Sequence, residues 1–135
     1  MKQEGIQAKM RKKWKVTTQQ SKKARVIALN HLDQKFLVKE PNQVWVSDIT
    51  YISTLEGWLY VAIVLDLFSR KVVGLSIGSP LETNLVTKSL NQALYSRDLN
   101  KGLMHHSDRG CQYTSLEFRE LAKKNGIKLS MSAKG

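Results

Sequence analysis

The stretch from residue 44 to residue 77 most constrains the fold, because it carries three strand-like runs with very short connections. The first run, 44–52, reads VWVSDITYI and is apolar on both faces, which is typical of a buried central strand. A glycine-containing turn at 54–57 leads to the second run at 58–65, and the third run covers about 71–77. Such short connections predict an antiparallel meander, since parallel neighbours need a long crossover.

Helical periodicity follows the meander. Residues 83–97 place apolar side chains on one face at helical spacing, and 102–106 form a short strand-like run. A capping-box pattern at 114–117 predicts the start of a second helix, which ends at the Asn-Gly pair at 125–126. Alternating apolar residues at 127–131 predict a fifth strand. The order β-β-β-α-β-α-β indicates an α/β fold of the mixed α+β kind, with helices flanking a mixed sheet.

The charge of the chain is strongly basic and unevenly spread. Lys and Arg number 22 against 11 Asp and Glu, a formal net charge of +11. Residues 1–40 hold eleven basic and three acidic residues, whereas residues 41–135 hold eleven and eight. This asymmetry predicts a basic arm or linker at 1–40, ahead of a nearly balanced domain at 41–135.

The charge of the basic arm leaves two interpretations open. Binding to a polyanion such as DNA would be strengthened by counterion release, whereas a solvated tail would only keep the chain in solution. If the arm binds DNA, the expected contacts are its clustered basic residues and the tryptophan among them. These residues are Lys9, Arg11, Lys12, Lys13, Trp14, Lys15, Lys22, Lys23 and Arg25.

Membrane and secretory features do not appear in the sequence. No apolar run approaches the roughly 20 residues of a membrane span, and no signal-peptide-like apolar stretch follows the basic start. The single cysteine, Cys111, excludes an internal disulfide and suits a reducing compartment. Cys111, His31, His105 and His106 lack the paired spacing of a zinc site. The sequence therefore predicts a cytoplasmic protein.

Two carboxylates stand out by their settings. Asp48 interrupts an otherwise apolar strand, where a lone charge is costly unless it is paired, hydrogen-bonded or bound to a metal. Asp108 directly follows the fourth strand, at the end where ligand crevices of α/β sheets lie. If the first and fourth strands are neighbours, both carboxylates can converge on one Mg²⁺. Alternatively, Asp48 is a buried ion-pair partner and Asp108 only shapes a turn, as we expect of Asp66.

Four blocks of the sequence resemble bacterial insertion-sequence transposases of the DDE type, whose catalytic core is similar to that of retroviral integrases. The blocks are PNQVWVSDITYI at 41–52, GWLY at 57–60, DLFSRK at 66–71 and HSDRGCQYTS at 106–115. The resemblance is collinear from about Pro41 to Gly135. It implies a ribonuclease H-like fold in which Asp48 is the first catalytic acid and Asp108 the second. It also implies that both acids bind Mg²⁺ or Mn²⁺, with two ions in an intact relative.

The resemblance is incomplete at both ends of the chain. Members of the family carry a helix-turn-helix region upstream and a third acid, a glutamate, on a helix after the fifth strand. That glutamate would fall beyond Gly135, so the expectation is a core that is truncated at its C-terminus and lacks the final helices. Glu117 and Glu120 lie on the preceding helix, and we expect them to serve in capping and solvation rather than as substitutes.

The activity that the resemblance implies is DNA transposition, in which DNA is cut and joined by metal-dependent phosphoryl transfer. Because the third acid lies outside this chain, the sequence leaves open whether it is an enzyme, and we expect no strand transfer by the isolated chain. The alternative is a non-catalytic remnant that binds DNA or sibling transposase subunits. Either interpretation implies DNA as a partner, self-association or other transposase subunits, no membrane, and a nucleoid-associated location in a bacterium.

Overall fold

The computed structural model describes residues 27–33, 37–79, 83–99 and 102–133. Within these ranges the elements follow the predicted order β-β-β-α-β-α-β. The strands are Val44–Thr54 (β1), Gly57–Asp66 (β2), Val72–Gly78 (β3), Met104–Ser107 (β4) and Lys128–Met131 (β5), and the helices are Thr83–Ser96 (α1) and Leu116–Lys124 (α2). Neither helix is long and apolar enough to cross a membrane.

One mixed sheet holds all five described strands, in the order β3-β2-β1-β4-β5. β2 pairs antiparallel with both β1 and β3, which confirms the predicted meander. The chain then passes through α1 to reach β4, which lies parallel to β1, and through α2 to reach β5, which lies parallel to β4. This topology places β1 in the centre of the sheet, beside β4.

Both helices cover the same face of the sheet. α1 packs against β3 and β2, while α2 contacts β5 and α1. Gly74 permits the close approach of α1 to β3, because a Cβ at this position would overlap the backbone carbonyl oxygen of Ser89. The core between the helices and the sheet includes the fully buried side chains of Trp45, Val64, Leu90, Tyr113 and Phe118.

The opposite face of the sheet is open over β3. Val72, Leu75 and Ile77 are 54%, 43% and 56% exposed. Strand pairing puts Asp48 opposite Ile63 and Ile63 opposite Leu75, so all three side chains lie on the open face. The first candidate acid therefore shares a face of the sheet with an exposed apolar surface.

Part of the predicted arm packs against the sheet. The backbone N–H groups of His31 and Leu32 donate to Ser130 Oγ over 2.8 and 3.2 Å, and Met131 N–H donates to the Leu29 carbonyl over 3.2 Å. Leu32 is buried, so this segment contributes to the core. The division of the chain at residue 40 stays a prediction, and the nine predicted DNA contacts from Lys9 to Arg25 lie outside the described residues.

The start of α2 differs from the predicted capping box. Ser115 is the N-cap residue, and its hydroxyl accepts a hydrogen bond from Phe118 N–H over 3.2 Å. Glu117 is therefore one residue too early to complete a box with Ser115, which requires an acid at the third helical position. The Thr114 hydroxyl donates instead to the Gly110 carbonyl over 3.3 Å, so it stabilises the preceding turn.

Asp66 is a buried hydrogen-bonding centre as well as the turn former that the sequence predicted. Its Oδ1 accepts from Asn42 N–H over 3.0 Å, and its Oδ2 accepts from the N–H and hydroxyl of Ser69 over 3.1 and 2.6 Å. The Trp45 indole N–H donates to Asn42 Oδ1 over 3.3 Å. Burial, the largest influence, opposes ionisation, but the hydrogen bonds from Ser69 and Asn42 and the charge of Arg97 outweigh it and lower the pKa of Asp66.

Acidification is therefore expected to destabilise the chain through Asp66. Because its pKa is lower in the folded chain than in the unfolded chain, its contribution to stability is complete above about pH 4 and is lost as the pH falls through the folded value. Asp66→Asn should lower the free energy of unfolding at pH 7 by about 1–3 kcal/mol, because the new amide would face the two donors of Ser69. It should also reduce the loss of stability below pH 4.

Urea unfolding at pH 7, 4 and 3 measures both effects. The control is Glu56→Gln, which removes an exposed carboxylate from the β1–β2 turn and should change neither quantity. An Asp66→Asn chain as stable as the parent at pH 7 would contradict this role for Asp66.

Candidate active site

The pairing of β1 with β4 brings the two candidate acids to one edge of the sheet. The parallel register pairs Val46 with His106. Asp48 and Asp108 each lie two residues further along the chain, so continuing the register sets them side by side on the same face. The pairing of β1 with β4 is thus present as the sequence prediction required, and the convergence of the two carboxylates on one cation stays a prediction.

Both carboxylates are exposed, and each is held through one oxygen. Asp48 Oδ1 accepts from Ile49 N–H over 2.9 Å, and Asp108 Oδ1 accepts from Gly110 N–H over 2.8 Å. Within the described ranges, the second oxygen of each carboxylate has no hydrogen bond from the protein. Asp108 therefore shapes a turn, as the alternative interpretation required, but retains a free oxygen for a ligand.

The exposure of Asp48 corrects the prediction that it is a lone charge in a strand buried on both faces. Only Val44 and Trp45 are buried in β1, and Asp48 lies on the face that the helices leave open. The cost of burying a charge consequently gives no argument for a metal here. The exposure of Asp48 also excludes the alternative that Asp48 is a buried ion-pair partner.

Gly110 gives the loop after β4 its compact shape. A Cβ on this residue would lie 2.9 Å from Asp108 Oδ1 and 3.1 Å from Gln112 Oε1, which is too close for an unperturbed side chain. The neighbouring Arg109 donates from Nε to the Ser132 carbonyl over 2.8 Å, which ties the loop to the residue after β5. The loop that carries Asp108 is thus fixed by two hydrogen bonds, one from Gly110 N–H to Asp108 and one from Arg109 to Ser132.

A buried cluster of three rings, those of His105, Tyr113 and Phe118, lies on the helix side of the sheet. His105 is fully buried, and its Nε2 is 2.7 Å from Ser47 Oγ. The centroid of its ring is 5.2 Å from that of Phe118 and 6.1 Å from that of Tyr113. Burial first, and then the charge of His106, lowers the pKa of His105 to about 4. The His105 ring is therefore neutral at pH 7.

Tyr113 belongs to this cluster, although sequence reasoning did not single it out. Its hydroxyl is buried and has no hydrogen-bond partner within the described ranges. Burial raises the pKa of Tyr113, and the charges of Asp108, Asp48 and Tyr51 raise it further. The phenol therefore stays protonated and lies within electrostatic reach of both candidate acids.

Comparison with protein families identifies the family to which this arrangement of strands belongs. The model of the integrase core domain family matches residues 38–135. The chain belongs to this family. The ribonuclease H-like fold that the sequence resemblance implied is thereby confirmed for this member of the integrase core family.

Curated relatives of this integrase core come from bacterial insertion sequences. The chain is 41% identical over 130 residues to an uncharacterized 31 kDa protein of insertion element IS600 from Shigella sonnei. It is 38% identical over 135 residues to the transposase InsF for insertion sequence IS3A from Escherichia coli. These alignments cover 96% and 100% of this chain but 47% and 46% of the relatives. The chain therefore spans about half the length of the curated relatives it matches.

Solved structures that resemble this integrase core show the same fold. The catalytic core domain of HTLV-2 integrase, in complex with magnesium, has a TM-score of 0.59 at 23% identity, over 68% of this chain and 60% of that one. The catalytic core domain of BIV integrase has a TM-score of 0.57 at 19% identity, over 67% of this chain and 55% of that one. At this level of identity the likeness concerns the fold alone.

The donor atoms at this site of the integrase core fit a hydrated divalent cation. Mg²⁺ is commonly bound by one or two carboxylates, with water and phosphate oxygens completing the octahedron. Asp48 and Asp108 each offer one free oxygen at an exposed position. Glu117 and Glu120 are exposed on α2, and within the described ranges no group of three or more His, Cys, Asp or Glu residues is placed to hold a metal. The described part of the chain thus offers two carboxylates to a cation.

His106 contacts Ser130 of β5 and so contributes to the fold. It is half-buried, its Nδ1 lies 2.9 Å from Ser130 Oγ, and burial lowers its pKa. The same Ser130 hydroxyl accepts the two backbone N–H groups of residues 31 and 32. His106 therefore helps to fasten the segment 27–33 to the sheet.

Proposed function

We propose that this chain is the catalytic core of a DNA transposase, which cuts and joins DNA by metal-dependent phosphoryl transfer at Asp48 and Asp108. The observation that supports the proposal is the parallel register between β1 and β4, which, if continued for two residues, would align two exposed carboxylates on one face of the sheet. Homology to a protein named as a transposase supports DNA transposition at the level of the family.

The residues of the chain would bind and orient the reacting groups. A bound Mg²⁺ or Mn²⁺ would supply polarisation of the scissile phosphate and a lower pKa for a coordinated water. The backbone N–H groups of Ile49 and Gly110 hold one oxygen of each carboxylate, so the other oxygen is left to the cation. Because both acids are exposed, a DNA backbone can approach them without a large rearrangement of the protein.

Removing either carboxylate tests this proposal. Asp48→Asn and Asp108→Asn preserve size but remove a charged ligand, so each should weaken Mn²⁺ binding by more than about tenfold. Calorimetry or the electron paramagnetic resonance signal of free Mn²⁺ measures the affinity. Glu117→Gln and Glu120→Gln are matched controls, because they remove exposed carboxylates from α2 and should leave the affinity unchanged.

Plasmid nicking in Mn²⁺ separates the two functional interpretations. A nicking activity that both Asn variants lose would support a catalytic core. Binding of Mn²⁺ through both acids with no nicking or strand transfer would favour a non-catalytic protein that binds DNA or transposase subunits. Equal Mn²⁺ affinity of the parent and both Asn variants would contradict the site itself.

A further inference from the structure

We infer that the Tyr113 hydroxyl is a positioning group for the acidic pair, and that it donates a hydrogen bond to the Asp108 carboxylate when a divalent cation is bound. This inference rests on the proposed function of Asp48 and Asp108. The Tyr113 hydroxyl is buried without a hydrogen-bond partner in the described part of the chain. A buried donor that lacks a partner costs free energy and calls for an explanation in terms of function, water or an ion.

The loop at Gly110 brings the edge of the Tyr113 ring towards Asp108. The point where a Gly110 Cβ would stand is 2.9 Å from Asp108 Oδ1 and 3.6 Å from Tyr113 Cδ2. No side chain at residue 110 separates the ring from the carboxylate. Since Asp108 Oδ1 already accepts the Gly110 N–H, its other oxygen is open to a further donor or to a cation.

Packing holds the Tyr113 ring in place without help from its hydroxyl. The ring meets Phe118 edge to face with the centroids 5.4 Å apart, and it lies 6.1 Å from His105. Only 2% of Tyr113 is exposed, so the hydroxyl cannot turn into solvent without disrupting the core. A phenylalanine would make the same ring contacts, which means that packing alone does not require the oxygen.

The rival explanation is structural. His105 Nδ1 is also buried without a partner in the described ranges, and one buried water between it and the Tyr113 hydroxyl would satisfy both groups. Removing the hydroxyl oxygen of Tyr113 would change different properties under the two explanations. A water bridge would stabilise the metal-free fold, whereas a positioning group acts on the carboxylate that binds the cation.

The Tyr113→Phe variant of the 135-residue chain distinguishes the positioning role from the water bridge. We expect Mn²⁺ affinity to fall about tenfold, as for other groups that orient a metal ligand, with no decrease in the melting temperature of the metal-free chain. Adding Mg²⁺ to the parent should perturb the tyrosine absorption band, and the variant should lose this signal. Tyr95→Phe is the matched control, because Tyr95 is 93% exposed on α1 and should change none of these readouts.

Three other outcomes are informative. Unchanged Mn²⁺ affinity in Tyr113→Phe, while Asp108→Asn loses binding, would overturn this inference and leave the proposed function standing. A lower melting temperature of the metal-free variant would assign the hydroxyl to the water bridge with His105 and would also overturn it. Mn²⁺ binding that neither Asn variant alters would remove the proposed function, and this inference with it.

Discussion

Deletion of residues 1–25 is expected to lower the affinity for duplex DNA by at least about tenfold and to remove most of its salt dependence. This segment contains nine of the 22 basic residues and one acidic residue, whereas residues 41–135 are nearly balanced at eleven and eight. Each phosphate neutralised contributes about −0.9 to the slope of log affinity against log salt. Six such contacts by the arm would weaken binding roughly 10³-fold between 50 and 200 mM salt.

Fluorescence anisotropy with a duplex of random sequence measures this effect across that range of salt. The matched control removes two basic residues outside the arm, by Lys123→Gln and Lys124→Gln in the exposed last turn of α2, and should change the slope little. Trp14→Ala separates stacking from charge, because loss of stacking weakens binding to single strands at every salt concentration. Equal affinity before and after the deletion would identify the arm as a solvated tail.

The order of the elements and the pairing within the meander could be predicted because their signals are local. The apolar run around Asp48, the glycine at position 57 and the helical spacing after residue 83 each specify one element, and short connections specify the meander. Boundaries moved by only a residue or two, as where β1 extends to Thr54 and β2 begins at Gly57. The motif around Asp108 placed this acid just after β4, where the structure has it.

The properties that sequence reasoning missed depend on distant parts of the chain. Apolar residues on both faces of β1 predicted burial of Asp48, but burial depends on what covers a face, and the helices cover only the other one. The hydrogen bond between Asp66 and Asn42 joins residues 24 positions apart, so no local turn signal reveals it. The Tyr113 hydroxyl, which lacks a partner among the described residues, likewise becomes buried only once α2 has packed its Phe118 against the ring.

Self-association of the 135-residue chain is expected, because the open face of the sheet exposes apolar side chains. Val72, Leu75 and Ile77 are each between 43% and 56% exposed on this face. Complete burial of a large apolar side chain is worth about 1.5–3 kcal/mol, so covering three half-exposed ones is worth several kcal/mol. That is a substantial fraction of the whole stability of a small domain, which is about 5–15 kcal/mol. We therefore expect oligomers in size-exclusion chromatography and a melting temperature that rises with chain concentration.

Polar substitution on the open face should shift the chain towards the monomer. Leu75→Thr combined with Ile77→Thr keeps residues that suit a strand and removes much of the exposed apolar surface. The matched control is Leu55→Thr, because Leu55 is fully exposed in the β1–β2 turn, away from this surface, and should leave the oligomeric state unchanged. A parent chain that elutes as a sharp monomer and melts cooperatively above about 60 °C would contradict the prediction.

The position of Asp48 couples self-association to the proposed site. Asp48 lies on the same face as Leu75, with Ile63 of β2 between them in the register. A second chain that covers Leu75 and Ile77 would therefore also restrict access to the first acid, and Mn²⁺ affinity should fall as the chain concentration rises. The Leu75→Thr, Ile77→Thr chain should bind Mn²⁺ with the same affinity at every concentration. If the parent does so as well while remaining oligomeric, the interface lies elsewhere on the molecule.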